Sequence, residues 1–242
     1  MDERQPIFNV PGIVLVLLGV FLGVHLLLWG LLPESESERL LVALAFIPAR
    51  FGADTANLPG GNVATFSSLV THQFIHGNLT HLLVNSAWFL AFGSPIARRT
   101  GALSFLAFFL VCGVAGALLY LAVNGTAGIL VVGASGSISG LMGGAFRFIF
   151  RSMQEAGAKG LANSERTVLM SLSETLRDRR ILTLIIAWTV LNVVFAEGAP
   201  GVIGSAAGIA WEAHLGGFYA GLLLYGFFDR PPVLHDYAAT AE

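Results

Sequence analysis

The sequence is poor in cysteine and in charged residues. Its single cysteine, Cys112, lies inside an apolar run, so the chain cannot form a disulfide with itself. Only 12% of the 242 residues are charged and the formal net charge is −2. The basic residues form no run of the kind that binds nucleic acid. We therefore expect no nucleic-acid partner.

Apolar residues, by contrast, make up 55% of the chain, a composition typical of membrane proteins. About 20 apolar residues in a helix cover the hydrocarbon core of a bilayer. The apolar runs predict an all-α fold, a polytopic bundle of six transmembrane helices in the lipid bilayer. The six segments are Pro11–Leu32, about Leu69–Ile96, Gly101–Val123, Ile129–Phe150, Ile181–Ala196 and about Ala206–Phe228.

These segments divide the chain into a membrane domain, residues 11–228, and two tails, residues 1–10 and 229–242. An outer loop at about 33–68, with a short amphipathic element at the membrane surface, and a polar loop at about 151–180 are expected. Of the 13 lysines and arginines, all but Arg39 and Arg50 fall on the side of the termini. The positive-inside rule therefore predicts that both termini are cytoplasmic.

The fourth segment contains an unusual run, Gly133 to Gly144, with three serines and five glycines. Hydrocarbon does not satisfy polar groups, so these serines are expected to face the protein interior or a wet cavity. Glycines spaced by four residues form a bare stripe on a helix, against which another helix can pack closely. One stripe is predicted in the fourth segment and a second in the sixth, namely Gly136 and Gly140, and Gly217 and Gly221.

Packing of these two stripes would bring Ser135 close to His214. A serine beside a histidine is the minimal arrangement for nucleophilic acyl transfer, because the imidazole takes the hydroxyl proton as the oxygen attacks. With a helical rise of 1.5 Å per residue from Ile129, Ser135 is expected roughly 10 Å below the outer surface. His81 and Asn85, four residues apart on one face of the second segment, are expected at a similar depth.

Three motifs resemble those of the rhomboid family of intramembrane serine proteases, in the family's order. They are the run from His76 to Asn85, Gly133-Ala134-Ser135-Gly136, and Ala213-His214-Leu215-Gly216-Gly217 with Gly221. The resemblance implies that Ser135 is the nucleophile and His214 the general base. It also implies an oxyanion site, formed by Asn85, His81, Ser135 and Gly133.

The same resemblance implies that the substrates are transmembrane proteins, cut near the outer membrane face. No metal and no cofactor is expected, and we expect the protein in a bacterial inner membrane.

The sequence departs from the family pattern at two places. The first loop lacks the Trp-Arg pair of many members, and the stretch from Pro48 to Phe51 stands in its place. Ser139 occupies the position of an aromatic residue that supports the histidine ring in many members. The base is therefore expected to be held differently. Glu212 lies about 200° round the helix from His214, so it is expected to point elsewhere and to be solvated.

Two alternatives remain open from the residues. A metal site could be formed by four histidines, His72, His76, His81 and His214, but it would leave Ser135 and its glycines unexplained. A rhomboid-like protein could also bind membrane clients without cutting them. The presence of both Ser135 and His214 argues against this second alternative.

Overall fold

A computed structural model describes residues 10–52, 58–157, 164, 167–198 and 210–230 of the chain. These residues fold into helices, joined by turns and by one isolated antiparallel bridge between Phe46 and Val131. The all-α class is therefore confirmed.

Within the described residues, ten α-helices can be named in chain order. They are α1 (Gly12–Leu26), which continues as a π-helical turn (Leu27–Leu31), α2 (Glu34–Leu44), α3 (Gly61–Thr71), α4 (Leu79–Thr100), α5 (Ala102–Asn124), α6 (Ser135–Ala145), α7 (Ile149–Ala156), α8 (Leu172–Arg177), α9 (Arg179–Gly198) and α10 (Trp211–Leu224). Short 3-10 turns follow or join them at Pro48–Phe51, His72–Phe74 and Tyr225–Phe227.

Two helical stretches in the described residues are long and apolar enough to cross a membrane by themselves. They are Gly12–Leu31 and Ala102–Asn124, which match the first and third predicted segments. The fifth predicted segment also matches its helix, α9, within two residues at each end. The number of six spans stays a prediction.

The predicted second segment, about Leu69–Ile96, is wrong at its beginning. Helix α3 ends at Thr71, and α4 begins only at Leu79. The cause is local, because Asn78 is an extended residue whose side chain accepts a hydrogen bond from the His81 amide at 2.8 Å and so caps α4. His72 and His76 therefore precede the helix that carries His81 and Asn85.

The predicted fourth segment, Ile129–Phe150, is also wrong, because its helix α6 begins at Ser135 and ends at Ala145. Val131 instead pairs with Phe46 through two backbone hydrogen bonds of 2.8 and 3.0 Å. Gly133 has a φ of +124°, which no helix uses. The depth of about 10 Å for Ser135 assumed a helical rise from Ile129, so that assumption does not hold. Eleven residues of α6 span only about 16 Å, half of the hydrocarbon core.

Helix α6 lies at the centre of the bundle. All of its residues after Ser135 are buried, and it packs against α4, α5 and α10. Phenylalanines of α1, α4 and α5 form the core on one side, with Phe21, Phe89, Phe105, Phe108 and Phe109 fully buried. On the other side, α9 packs against α6 and α10 through Ile181 and Ile185. Ser135 is thus the first residue of a helix that is otherwise buried.

The outer loop contains more helix than the predicted single amphipathic element, since both α2 and α3 lie within about 33–68 or overlap it. Arg50 lies buried in this loop, where its guanidinium donates to the carbonyls of Val42 and Pro59 at 2.9 and 2.7 Å. The stretch Pro48–Phe51 therefore organises the loop through an arginine, without a neighbouring tryptophan. Residues 206–209 of the sixth predicted segment lie outside the described residues, and α10 begins at Trp211.

Candidate active site

Helices α6 and α10 meet through their glycines. A Cβ added at Gly217 would overlap the carbonyl oxygen of Gly136, and one added at Gly221 would overlap that of Gly140. The two backbones thus approach as closely as side-chain-free residues allow. The structure therefore places the four predicted packing glycines in one interface.

This close packing joins Ser135 to His214. The Nε2 atom of His214 lies 2.8 Å from the Oγ atom of Ser135, which is hydrogen-bond distance. Ser135 is the first residue of α6, and His214 lies in the first turn of α10. Both side chains are partly buried. The pair can therefore pass a proton from the hydroxyl to the imidazole without any rearrangement.

A third side chain, which sequence reasoning did not assign to the site, contacts the other ring nitrogen of His214. The Nδ1 atom lies 2.9 Å from Oδ1 of Asn192, a buried residue of α9. Asn192 also donates from Nδ2 to the carbonyl of Trp188 at 2.8 Å. Its signal in the sequence is its position as a lone amide in an otherwise apolar span.

The start of α6 faces two polar side chains of α4. A Cβ at Gly133 would lie 2.7 Å from Nε2 of His81 and 3.5 Å from Nδ2 of Asn85, so both side chains reach the backbone just before Ser135. Within the described residues, Nδ2 of Asn85 is buried and has no hydrogen-bond partner. The N-cap of α6 is Ala134, which provides no side-chain cap for the first N–H groups of the helix. The unpartnered Asn85 Nδ2 and the uncapped N–H groups of α6 thus lie near the backbone that leads into Ser135.

Gly133 enters the site in a different way from the other predicted oxyanion residues. Its own N–H donates to the carbonyl of His72 at 2.9 Å, so this N–H is not available to a substrate. Its φ of +124° and its contact with the His81 ring both require the absence of a side chain. The absence of a side chain at Gly133 therefore leaves room for His81 and Asn85 to lie close to the start of α6.

The neighbouring serines have other environments. Ser137 is buried and donates from Oγ to Oε1 of Gln73 at 2.8 Å. Ser139, at the position where the resemblance would place an aromatic residue, is buried one turn further into α6. Neither serine bonds to the ring of His214, because its two nitrogens lie against Ser135 and Asn192.

The histidines of the alternative metal site do not converge. His72 contacts the carbonyl of Ser68 through Nδ1 at 2.7 Å, and the rings of His76 and His81 pack edge to face with centroids 5.2 Å apart. In the described part of the chain, no group of three or more His, Cys, Asp or Glu side chains is placed to hold a metal ion. His214, meanwhile, uses both nitrogens elsewhere.

Glu212 differs from its expectation as a solvated charge, and that expectation is wrong. It is buried and accepts a hydrogen bond from Nδ2 of Asn124 at 2.8 Å. Asn124 also donates to the carbonyl of Tyr120, so this amide ties the end of α5 to the start of α10. The burial arises because α10 packs along α5 throughout this turn.

A bundle of apolar helices, whose central helix begins with a serine hydrogen-bonded to a histidine, is typical of intramembrane serine proteases. A family model described as Rhomboid domain matches residues 63–231, more than half of the chain. The chain belongs to the rhomboid family, a family of intramembrane serine proteases, and is an integral membrane protein.

Among curated proteins, the chain is similar to "RHOMBOID-like protein 4" of Arabidopsis thaliana, with 27% identity over 159 residues. That match covers 64% of this chain and 32% of the plant protein. The chain therefore spans about a third of the length of the curated relative that it matches.

Proposed function

We propose that the protein is an active intramembrane serine endopeptidase with Ser135 as nucleophile and His214 as general base. The observation that carries this proposal is the 2.8 Å contact between Ser135 Oγ and His214 Nε2, held by two packed glycine stripes. As Ser135 Oγ forms a bond to the carbonyl carbon of the substrate, its proton moves to His214 Nε2. The imidazolium then donates this proton to the leaving amine, and a water molecule releases the acyl group by the same route.

The negative oxygen of the tetrahedral intermediate needs donors, and a site of low dielectric increases their value. In the proposed mechanism these donors are Asn85 Nδ2, the ring of His81 and the backbone N–H of Ser135. The Asn85 donor supports this role because it is buried without a partner among the described residues. A group already desolvated in the resting protein loses no further water when it binds the oxyanion.

The substrates in this proposal are other transmembrane proteins, whose backbone must be extended to reach the start of α6. The stretch before Ser135 contacts the outer loop, because Val131 in that stretch and Phe46 in the loop exchange two backbone hydrogen bonds. Together with the distribution of basic residues, this favours cleavage near the outer membrane face. Six spans, cytoplasmic termini and a bacterial inner membrane are parts of the same proposal.

The test is cleavage of a single-span membrane protein in liposomes by the purified enzyme and its serine variants. Ser135→Ala should abolish cleavage, whereas Ser137→Ala and Ser139→Ala should retain it, because neither of these hydroxyls lies against His214. Normal turnover by Ser135→Ala would refute the assignment of the nucleophile. A wild-type protein that binds such substrates and cuts none would instead identify a client-binding member of the family.

A further inference from the structure

Asn192 has a fixed orientation that follows from its two hydrogen bonds. Its side chain is 7% exposed, and it lies between the carbonyl of Trp188 and the ring of His214. A carbonyl oxygen can only accept, so Asn192 must present its NH2 group to Trp188. Its Oδ1 atom therefore faces Nδ1 of His214, and this oxygen can only accept.

The orientation of Asn192 determines the tautomer of His214. Because Oδ1 accepts at 2.9 Å, Nδ1 of His214 must carry the proton in the neutral ring. The lone pair of the ring then resides on Nε2, which faces Ser135 Oγ. Ser135 consequently donates to His214, and His214 donates to Asn192, so that all three groups are aligned for removal of the serine proton.

We propose that Asn192 is a positioning residue that holds His214 in the tautomer and ring orientation of a general base. The proposal rests on the proposed roles of Ser135 and His214. Asn192 neither gains nor loses a proton during the reaction. When Nε2 takes the serine proton, Asn192 still accepts from Nδ1 of the resulting imidazolium and stabilises it. An amide from α9 would thus do the work that an acid does in the soluble serine-protease triad.

This role explains how the site is built without the aromatic residue that the resemblance would place at Ser139. Helix α9 contacts α10 at Asn192 through a polar group, and no further support for His214 is needed to fix Nδ1. A second polar bridge between the same helices lies one turn away, where Thr189 Oγ1 is 2.7 Å from the hydroxyl of Tyr219. Thr189 contacts neither Ser135 nor His214 in these bonds, so it provides a matched control.

The test compares Asn192→Leu, which keeps the volume and removes the acceptor, with Thr189→Val. With a membrane substrate in liposomes, Asn192→Leu should lower kcat about 10- to 1,000-fold with little change in KM, because the wrong tautomer cannot accept the proton. Thr189→Val should change kcat by less than about threefold, since it removes only an interhelical hydrogen bond. Equal kcat values for the two variants would overturn the proposal.

A spectroscopic readout separates positioning from folding. In protein with 15N-labelled histidine, the nitrogen shifts of His214 should report Nδ1–H in the wild type and in Thr189→Val, and a gain of Nε2–H in Asn192→Leu. An unchanged tautomer in Asn192→Leu would contradict the proposal. If Asn192→Leu does not fold, Asn192→Asp tests the proposal instead. This variant keeps an acceptor for Nδ1 and should retain cleavage within about tenfold of wild type. Complete inactivity of a folded Asn192→Asp protein would contradict the positioning role.

The two proposals can fail separately. Cleavage by Ser135→Ala or His214→Ala would remove the basis of both. Loss of cleavage in those two variants together with normal kcat in Asn192→Leu would leave the protease in place and refute only the role of Asn192.

Discussion

Asn85 has a buried side-chain donor that the proposed oxyanion role would use. A buried polar group without a partner costs about 1–3 kcal/mol, so such groups are uncommon in folded proteins. Asn85 Nδ2 is one of them among the described residues, and it lies beside the backbone that leads into Ser135. A developing oxyanion would satisfy this donor, so the interaction would be gained mainly in the transition state.

We predict that Asn85→Ala reduces turnover about 10- to 1,000-fold, the range for loss of one oxyanion donor, while labelling of Ser135 by a fluorophosphonate stays measurable. His81 and the Ser135 N–H would still stabilise the charge. His214→Ala should lose both turnover and labelling, because no base then remains.

A purely structural role for Asn85 makes a different prediction. An interhelical hydrogen bond in a membrane contributes about 1 kcal/mol, so its loss would lower the melting temperature in detergent. A drop in melting temperature in proportion to the lost activity would contradict the oxyanion role. An unchanged melting temperature with reduced turnover would support it.

At the residue level, the glycine stripes and the three motifs predicted that Ser135 lies close to His214, and that His81 and Asn85 lie near them. The sequence could not predict the role of Asn192. Asn192 and His214 lie on different helices, and nothing in the spacing of 22 residues between them indicates that they meet. The resemblance implied that Gly133 is part of the oxyanion site, and the sequence could not predict that the Gly133 N–H is occupied by the His72 carbonyl, since this bond depends on the loop before α4.

At the level of helices, the contact between α6 and α10 determines whether Ser135 and His214 can meet. We predict that Gly217→Ala lowers activity about 100-fold or more, because its Cβ would overlap the Gly136 carbonyl and a shift of about 1 Å separates reacting groups. Overpacking of this kind should also destabilise the protein by about 1–3 kcal/mol. Thermal unfolding and cleavage assays on the same preparation measure both effects.

Gly23→Ala is the matched control for Gly217→Ala. A Cβ at Gly23 in α1 meets nothing within 4 Å, so no clash arises there. Alanine also favours a helix over glycine by up to about 1 kcal/mol. Gly23→Ala should therefore keep full activity and stability. Full activity in Gly217→Ala would show that the two helices tolerate separation.

The plain apolar helices were predictable from hydropathy, whereas the bounds of α4 and α6, which carry Asn85 and Ser135, were not. Helix α5 and the first span consist almost entirely of apolar residues, so their length and hydropathy define them. The second and fourth segments are interrupted by the Asn78 cap and by the pairing of Val131 with Phe46. That pairing joins residues far apart in the chain, and a local pattern contains no sign of it.

At the level of the whole molecule, basic residues indicate orientation but also hold the bundle together. Arg99 forms a 2.7 Å ion pair with Asp229 and lies over the ring of Phe148, and Arg147 donates to the carbonyl of Met170 at 2.9 Å. These contacts gather the ends of α4, α6 and α10 on one side of the bundle. The outer loop and Ser135 then belong to the opposite side.

This arrangement predicts which surfaces a membrane-impermeant maleimide can reach in intact cells. Cys112 is buried and should not react, so labelling of a single introduced cysteine can be measured without a signal from Cys112. Ser35→Cys in α2 should be labelled from outside, whereas Ser173→Cys in α8 should be labelled only after lysis. Both serines are exposed, so accessibility of the side chain is matched. The reverse pattern would show that the termini are not cytoplasmic.

The central claim is that Ser135 is a nucleophile activated by His214, and covalent labelling tests it most directly. The wild-type protein in detergent would be treated with a fluorophosphonate, and the modified residue would be located by mass spectrometry of its peptides. We predict one adduct, on Ser135, which Ser137→Ala retains and His214→Ala loses. An adduct on another serine, or equal labelling of the wild type and His214→Ala, would contradict the assignment.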